Sequence, residues 1–396
     1  VAAQKPLRVV VATRLYAPEV GAAAFRLKAL VDGLVGQGAE VEVITTVPPK
    51  GSGLFKPRYG LSRWPVLRDA GGNVRGYVQY LSYDIPAFFR LLAVKADVVV
   101  SEPPPTTGVV VALTSLLRGR PFVYYAADVW TEALSAMEVH GAVKRVMGAM
   151  EGFVLRRAAK VIAVSEPVAG QVAKFNVPAD RIETVGNGVD TGVFSPDGPV
   201  ALAANPYFIY TGTMSEWQGA GIFIEALPLV RQQHPDAEIR FFGQGTDEAN
   251  LKALAAALAP GAVHFGGVVA PAEAAKWIRS AAGALVSIKP GQGYDFAKPT
   301  KIYAAAGCGT PVIFAGQGDG AAIVVEGGLG NAAPYDVQAV ADAMVRAMVD
   351  PTIGGTQSAG SRIQWVLENA SLAAAGRVAA EAVRAVVRRP VGTKPH

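Results

Sequence analysis

The sequence predicts an α/β protein built from two doubly wound, Rossmann-like domains. Three observations carry this reading. Short apolar segments rich in β-branched residues alternate with helical ones, the alternation runs twice along the chain, and a stretch rich in Gly, Pro and Asp separates the two runs. Segments that are apolar throughout, rather than at every second position, suit parallel strands covered by helices on both faces.

In the first run "LRVVVAT" reads as a strand, and the helix after it carries Leu27, Leu30, Val31 and Leu34 on one face. "AEVEVITT" follows, then a long basic loop, then "ADVVVSE", "PFVYYAAD" and "AKVIAVSE". Thr13, Ser101, Glu102, Asp128 and Ser165 stand directly after strands, at the carboxyl ends that line the ligand crevice of open α/β sheets. The second run supplies "YFIYTGT", "AEIRFFGQG", "AVHFGGVV", "AGALVSIKP", "TPVIFAG" and "GLGNAAP", with helices over Ile222 to Gln233 and Glu248 to Leu258 among those between them. "GNGVDTGVFSPDGP" reads as the linker. The expected division is a first domain over 1–195, a second over 196–365, and a C-terminal helix and tail over 366–396 that packs back on the first domain.

Composition narrows the function classes. The chain has 396 residues, 51% hydrophobic and 17% charged, enough for two large cores. No apolar run approaches the roughly 20 residues of a membrane-spanning helix. The lead "VAAQKPLRVVV" enters a strand without the apolar segment and cleavage site of a secretory signal, and a lone cysteine, Cys308, excludes an intrachain disulfide. Both point to a cytoplasmic setting. Of the net charge of +5, the excess lies in residues 1–195, with 22 Lys+Arg against 16 Asp+Glu. Lys50, Lys56, Arg58, Arg63, Arg68 and Arg75 alternate there with Phe55, Tyr59 and Trp64. This segment is either a solvated loop or a surface for anionic headgroups or a phosphate-bearing substrate. No recognised motif supports a nucleic-acid partner. The four histidines, His140, His234, His264 and His396, stand apart from one another and from metal-spaced partners, so no metal site is expected. There is no P-loop, and "GQG" at Gly243 and again at Gly291 falls short of a dinucleotide fingerprint.

"YAPEVGAAAFRL", "DVWTEAL", "AKVIAVSEP", "VGNGVDTGVFSP", "FFGQGTDEANLKALA" and "KPTKIYAAAGCGTPVIFAG" occur in the order found in retaining glycosyltransferases of family 4, which the chain resembles over nearly its whole length. "PEVGAAAFRL", "DVWTEAL" and "GTMSEWQG" are most similar to the branch named for L-fucosamine transferases. The resemblance implies the GT-B fold, two domains facing across a cleft. It implies a nucleotide diphosphate sugar, a UDP sugar, as donor, a saccharide or lipid-linked acceptor at the membrane surface, and neither cofactor nor metal. It casts Asp128 and Glu102 as the catalytic carboxylates, with Asp128 also readable as a helix cap. Glu19 and Arg26 become acceptor-binding residues. Gly21, Thr213, Gln218, Gly243, Lys289, Lys298 and Lys301 become donor-binding ones, with Lys301 at a helix N-terminus suited to phosphate.

Two departures accompany the resemblance. The Arg and Lys usual after the second domain's first strand are Thr213 and Gln218 here, and the usual pair of glutamates is Phe296 and Ala304. Glu326 is the substitute expected for the ribose-binding glutamate, and Asp319 stands where a further glutamate is usual. A nucleotide-sugar 2-epimerase and a catalytically silent binding homologue are the rival readings.

Overall fold

A computed structural model describes residues 5–388 apart from 20, 51, 53, 54, 70, 71, 75, 132–140, 187 and 351–354. Arg75, His140 and His396 therefore lie outside the described residues. The chain forms two compact units, one made of residues up to 187 together with those from 372 onward, the other of residues 188–371.

The first unit holds strands β1 (Arg8–Ala12), β2 (Glu40–Thr46), β3 (Gly60–Trp64), β4 (Val98–Ser101), β5 (Phe122–Ala126), β6 (Lys160–Ala163) and β7 (Ile182–Thr184). Its helices include α1 (Ala22–Gly36), α2 (Tyr77–Ala93), α3 (Pro105–Leu117), α4 (Gly141–Arg157) and α5 (Glu166–Ala173). Among the described residues the seven strands pair in the order β3-β2-β1-β4-β5-β6-β7, every pair parallel. The register sets Val9 against Val41 on one side and Val98 on the other. Val9 and Val11 face one way, against Leu27, Leu30 and Leu34 of α1, while Val10 faces the other, among Leu91, Val111 and Val154. Both faces are covered, which is why the strands lack apolar/polar alternation.

The second unit holds β8 (Tyr207–Thr211), β9 (Glu238–Phe242), β10 (Val263–Phe265), β11 (Gly283–Ser287), β12 (Val312–Ala315) and β13 (Gly330–Ala333). Its helices are α6 (Gly221–Gln233), α7 (Glu248–Leu258), α8 (Pro271–Arg279), α9 (Thr300–Gly307), α10 (Asp319–Glu326), α11 (Val337–Val349) and α12 (Thr356–Asn369). The strands form a parallel sheet in the order β10-β9-β8-β11-β12-β13. Strand order thus reverses between β1 and β4 in one unit and between β8 and β11 in the other, the points at which open sheets bind ligands beyond the strand ends.

The units divide at 187/188 and 371/372, so residues 188–195 and 366–371 join the second unit. Arg279 fixes the first of these segments through bonds from Nε to Ser195 O (2.7 Å) and from Nη2 to Val193 O (2.8 Å). Val189 N donates to Ala370 O at 2.8 Å, and the chain then leaves for α13 (Leu372–Arg388). That helix packs closely against α1, with glycines where the two backbones meet. A Cβ on Gly376 would stand 2.2 Å from Ala29 O, and one on Gly33 would stand 2.6 Å from Gly376 O.

The segment read as a long basic loop contains an edge strand, β3, and its charges are partly spent inside the fold. Arg63 donates to Ala17 O (3.0 Å), Arg68 grips Glu19, and Tyr59 OH meets Tyr16 OH at 2.6 Å. Lys50, Lys56 and Arg58 remain exposed.

Candidate functional site

In the first unit the switch point places Thr13, after β1, beside Glu102, after β4. Thr13 Oγ1 donates to Glu102 Oε1 at 2.5 Å, and Arg26 Nη2 of α1 lies 3.4 Å from Glu102 Oε2. Both carboxylate oxygens are engaged and the side chain is buried. Burial pushes the Glu102 pKa up, against the pull of Arg26 and Thr13. Arg26 is itself only 7% exposed and lies over the Tyr125 ring, 5.3 Å from its centroid. The two residues expected to meet substrate form an interior ion pair that holds α1 to the strand ends.

Asp128 differs from Glu102. It stands exposed two positions after β5, and the protein crowding its carboxyl raises the pKa, opposed by Arg26. The capping role suggested for it belongs to Glu151 of α4, which accepts from Trp130 N and Thr131 N at 2.8 Å each. That leaves the Asp128 carboxylate available at the carboxyl edge of the sheet.

Beside this edge is a cavity of about 370 Å³ lined by Arg14, Leu15, Glu19, Val74, Tyr80 and Trp130, with Asn73 at its wall. Arg14 stacks on Tyr80, its Cζ 4.2 Å from the ring centroid, and donates to Val74 O at 2.8 Å. Tyr80 in turn meets the edge of Trp130 at 6.0 Å. Glu19 is held by Arg68 at 2.9 and 3.1 Å, so it presents a neutralised wall. Arg14 and Trp130 follow the strand-end residues Thr13 and Asp128 but were not singled out in the sequence, and Tyr80 comes from a helix that the sequence pattern did not mark. Gly21 precedes α1 with extended backbone (φ 171°) open to any residue, and its Cβ position would press on Leu15 at 3.1 Å.

Between the end of β11 and the first turn of α9, three polar side chains have buried atoms without a hydrogen-bond partner. Lys301, in the first turn of α9, has its Nζ shut off from solvent without a hydrogen bond, 3.7 Å from the centroid of Tyr210. Burial lowers its pKa to about 7. Ser287 Oγ, at the end of β11, and Asp295 Oδ1 are likewise buried and unpartnered. An unsatisfied buried polar atom demands explanation, and the Lys301 ammonium, at a helix start beside Gly212 of the loop after β8, marks a place that an anionic ligand would complete.

The loop after β8 is cross-braced by side chains. Tyr210 OH lies 2.9 Å from Thr213 O and 3.0 Å from Gln218 Oε1, and Ser215 N donates to the same Gln218 oxygen. Gln218 is thus a buried brace for the loop, while Thr213 is exposed. Gly243 (φ +135°) packs so closely that a Cβ would meet Gly212 O at 1.8 Å, and a Cβ on Gly212 would stand 3.8 Å from Lys301 Nζ. Lys289 is exposed after β11, and Lys298 pairs with Asp319 at 3.6 Å. Phe296 stands exposed beside Tyr294, which stacks on Trp217 at 4.3 Å, and Ala304 is buried in the core. Glu326 closes α10 at the end remote from the strand carboxyl ends, beside the start of β13. The structure does not bring it to Lys301. Among the described residues no three His, Cys, Asp or Glu side chains gather as a metal site.

Residues 21–188 match the glycosyl transferase 4-like domain, and residues 205–350 match the glycosyl transferases group 1 domain. A GDP-mannose-dependent alpha-(1-6)-phosphatidylinositol monomannoside mannosyltransferase of Mycolicibacterium smegmatis is 26% identical over 221 residues, 53% of this chain and 58% of that protein. The chain therefore aligns with less than two thirds of the relative's length. Among solved structures, Anabaena HepE (Alr3699) in complex with UDP-glucose superimposes with a TM-score of 0.58 at 17% identity, covering 96% of this chain and all of that one (100%). A glycosyltransferase from Rickettsia africae gives a TM-score of 0.62 at 14% identity, covering 97% and 100%. These neighbours show the GT-B fold.

Proposed function

From the matches to a glycosyl transferase 4-like domain and a glycosyl transferases group 1 domain, on a chain of GT-B fold, we propose that this protein is a retaining glycosyltransferase of cell-envelope glycan synthesis. In this reading it moves a hexose or N-acetylhexosamine from a UDP sugar to a saccharide or lipid-linked acceptor, at the cytoplasmic face of a membrane. The single observation that carries the reading is the Lys301 ammonium, buried and unpartnered at the second unit's switch point. An anion there gains a charge-assisted hydrogen bond, and the N-terminus of α9 adds its partial positive charge. UDP rests on analogy with the UDP-glucose bound by Anabaena HepE.

The chemistry follows from the groups available. The bond from the anomeric carbon to the donor phosphate breaks as one to the acceptor oxygen forms on the same face, and the acceptor proton passes to the leaving phosphate oxygen. Lys301 and α9 stabilise the charge growing on that phosphate, in this reading without a metal. Asp128 accepts a hydrogen bond from the attacking hydroxyl and orients it. The cavity offers the acceptor sugar the Trp130 ring and the Arg14 guanidinium stacked on Tyr80.

Incubation with UDP-glucose, UDP-galactose, UDP-N-acetylglucosamine and GDP-mannose, with and without an envelope lipid extract, tests the proposal. Acceptor-dependent release of UDP with a retained anomeric configuration is the expected result. Epimerised nucleotide sugar without UDP release would support a 2-epimerase instead. Binding without turnover on any acceptor would support a silent homologue.

A further inference from the structure

Helix α2 is apolar on the side it buries and on the side it exposes. Tyr80, Tyr83, Ala87 and Leu91 face the core, yet Val78, Leu81, Ile85 and Phe89 are 62%, 52%, 57% and 65% exposed. Spaced three and four residues apart, these side chains form one outward stripe along the helix. The two ionisable groups that could interrupt it turn away: Asp84 accepts from Thr107 Oγ1 at 2.6 Å, and Arg90 donates to Ser62 O at 2.7 Å. Helix α3 packs beside α2 and has no charged residue, and Leu116 and Leu117 at its carboxyl end are 60% and 66% exposed. Arg120 ties the two helix ends together by donating to Leu91 O and Val94 O at 2.6 and 3.0 Å. The stripe on α2 and the leucines on α3 therefore belong to one patch.

Water does not favour so large an apolar surface, and a patch of this kind marks a site of contact. Among the described residues, the exposed charges that follow α2 and α3 directly are cationic. Lys95 follows α2 and Arg118 follows α3, both exposed at the joined ends, while neighbouring Asp97 is neutralised by Arg8 at 2.7 Å. Neither helix exposes an Asp or Glu. An apolar stripe with a cationic border complements the headgroup and acyl boundary of an anionic bilayer.

We infer that the outer face of α2 with the carboxyl end of α3 docks on an anionic lipid bilayer. The stripe enters the acyl boundary, and Lys95 and Arg118 meet lipid phosphates. The inference gains its purpose from the lipid-linked acceptor proposed above, since the first turns of α2 carry Val78 outward and Tyr80 into the cavity. Its physical basis does not depend on that reading.

Cosedimentation of the full chain with phosphatidylcholine vesicles, with or without about 30% phosphatidylglycerol, tests it at low and high salt. Wild type is expected to bind the anionic vesicles and to bind neutral ones at least tenfold more weakly. Ile85→Gln with Phe89→Gln should lower partitioning at least tenfold at both salt levels. Lys95→Gln with Arg118→Gln should lower it on anionic vesicles only. All three proteins should melt alike and bind UDP equally, so a failed donor assignment leaves this readout intact. Absence of binding to either vesicle at low salt, or binding unmoved by both double variants, overturns the inference. So does a dimer by sedimentation velocity that Ile85→Gln with Phe89→Gln dissociates, since the face would then join copies of the chain.

Discussion

Thr13 Oγ1 donates to Glu102 Oε1 at 2.5 Å, joining the end of β1 to the end of β4 where the strand order of the first unit reverses. With Arg26 on its other oxygen, Glu102 is a structural carboxylate. Glu102→Gln leaves a guanidinium buried without its counterion, and removing one partner of such a pair typically costs about 3–5 kcal/mol. Urea unfolding of Glu102→Gln should show a loss of this order, and adding Arg26→Met should recover most of it. Unchanged stability in the single variant would mean that Arg26 does not depend on Glu102.

Asp128 carries the opposite expectation. Glu151 already caps Trp130 and Thr131, so Asp128→Asn should leave the melting temperature unchanged. Turnover with both substrates saturating should fall by about 10²-fold. Because crowding raises the Asp128 pKa above 3.8, the acidic limb of the rate profile should lie above the ordinary aspartate range and disappear in the variant. Near wild-type turnover would remove Asp128 from the reaction.

Lys301 makes a stability prediction that needs no substrate. Its pKa falls from 10.5 to about 7 on folding, so between those values the unfolded chain binds the additional proton and stability rises with pH. The stability linked to this group is present above 10.5 and is lost as pH falls through about 7. Lys301→Met removes the penalty of burying an unpaired charge. The ligand-free variant should therefore melt above wild type near pH 6 and should lose that advantage near pH 10. Destabilisation at both values would show that the ammonium is held by the fold rather than kept for a ligand.

Much of this architecture was legible because parallel strands buried on both faces leave continuous β-branched runs, as in Val9 to Val11 and Val98 to Val100. The edge strand β3 was not, because Gly60 to Trp64 is half exposed and mixes Ser and Arg with its apolar residues. Strand-end positions found Thr13, Glu102 and Asp128, since parallel topology fixes where a strand's last residue points. They could not separate Glu102 from Asp128, because what distinguishes those carboxylates is a partner 76 residues away in one case and exposure in the other. Lys301 was marked by its place at a helix start. Its missing partner and its contact with Tyr210 are properties of packing. Gln218 looked like a ligand residue because it stands where the resembled family has a cation, and only the bonds from Tyr210 and Ser215 reveal it as the loop's brace. Glu326 was chosen by nearness in sequence, which a helix running back along the sheet does not preserve.

The central claim is that Lys301 binds the donor diphosphate, and calorimetric titration with UDP-glucose tests it most directly. A sugar nucleotide has no phosphate ionisation near neutrality, so pH acts through the protein. Lys301→Met should weaken binding by about 1.5–3 kcal/mol, the range for a hydrogen bond to a charged group, which is roughly 10- to 150-fold. Wild-type affinity should fall between pH 6.5 and pH 8.5, below the ionisation of the uracil ring, as the ammonium is lost, with proton uptake on binding near neutrality, while the variant's affinity stays flat. Equal affinity of the two proteins, with the same dependence on pH, would contradict the account.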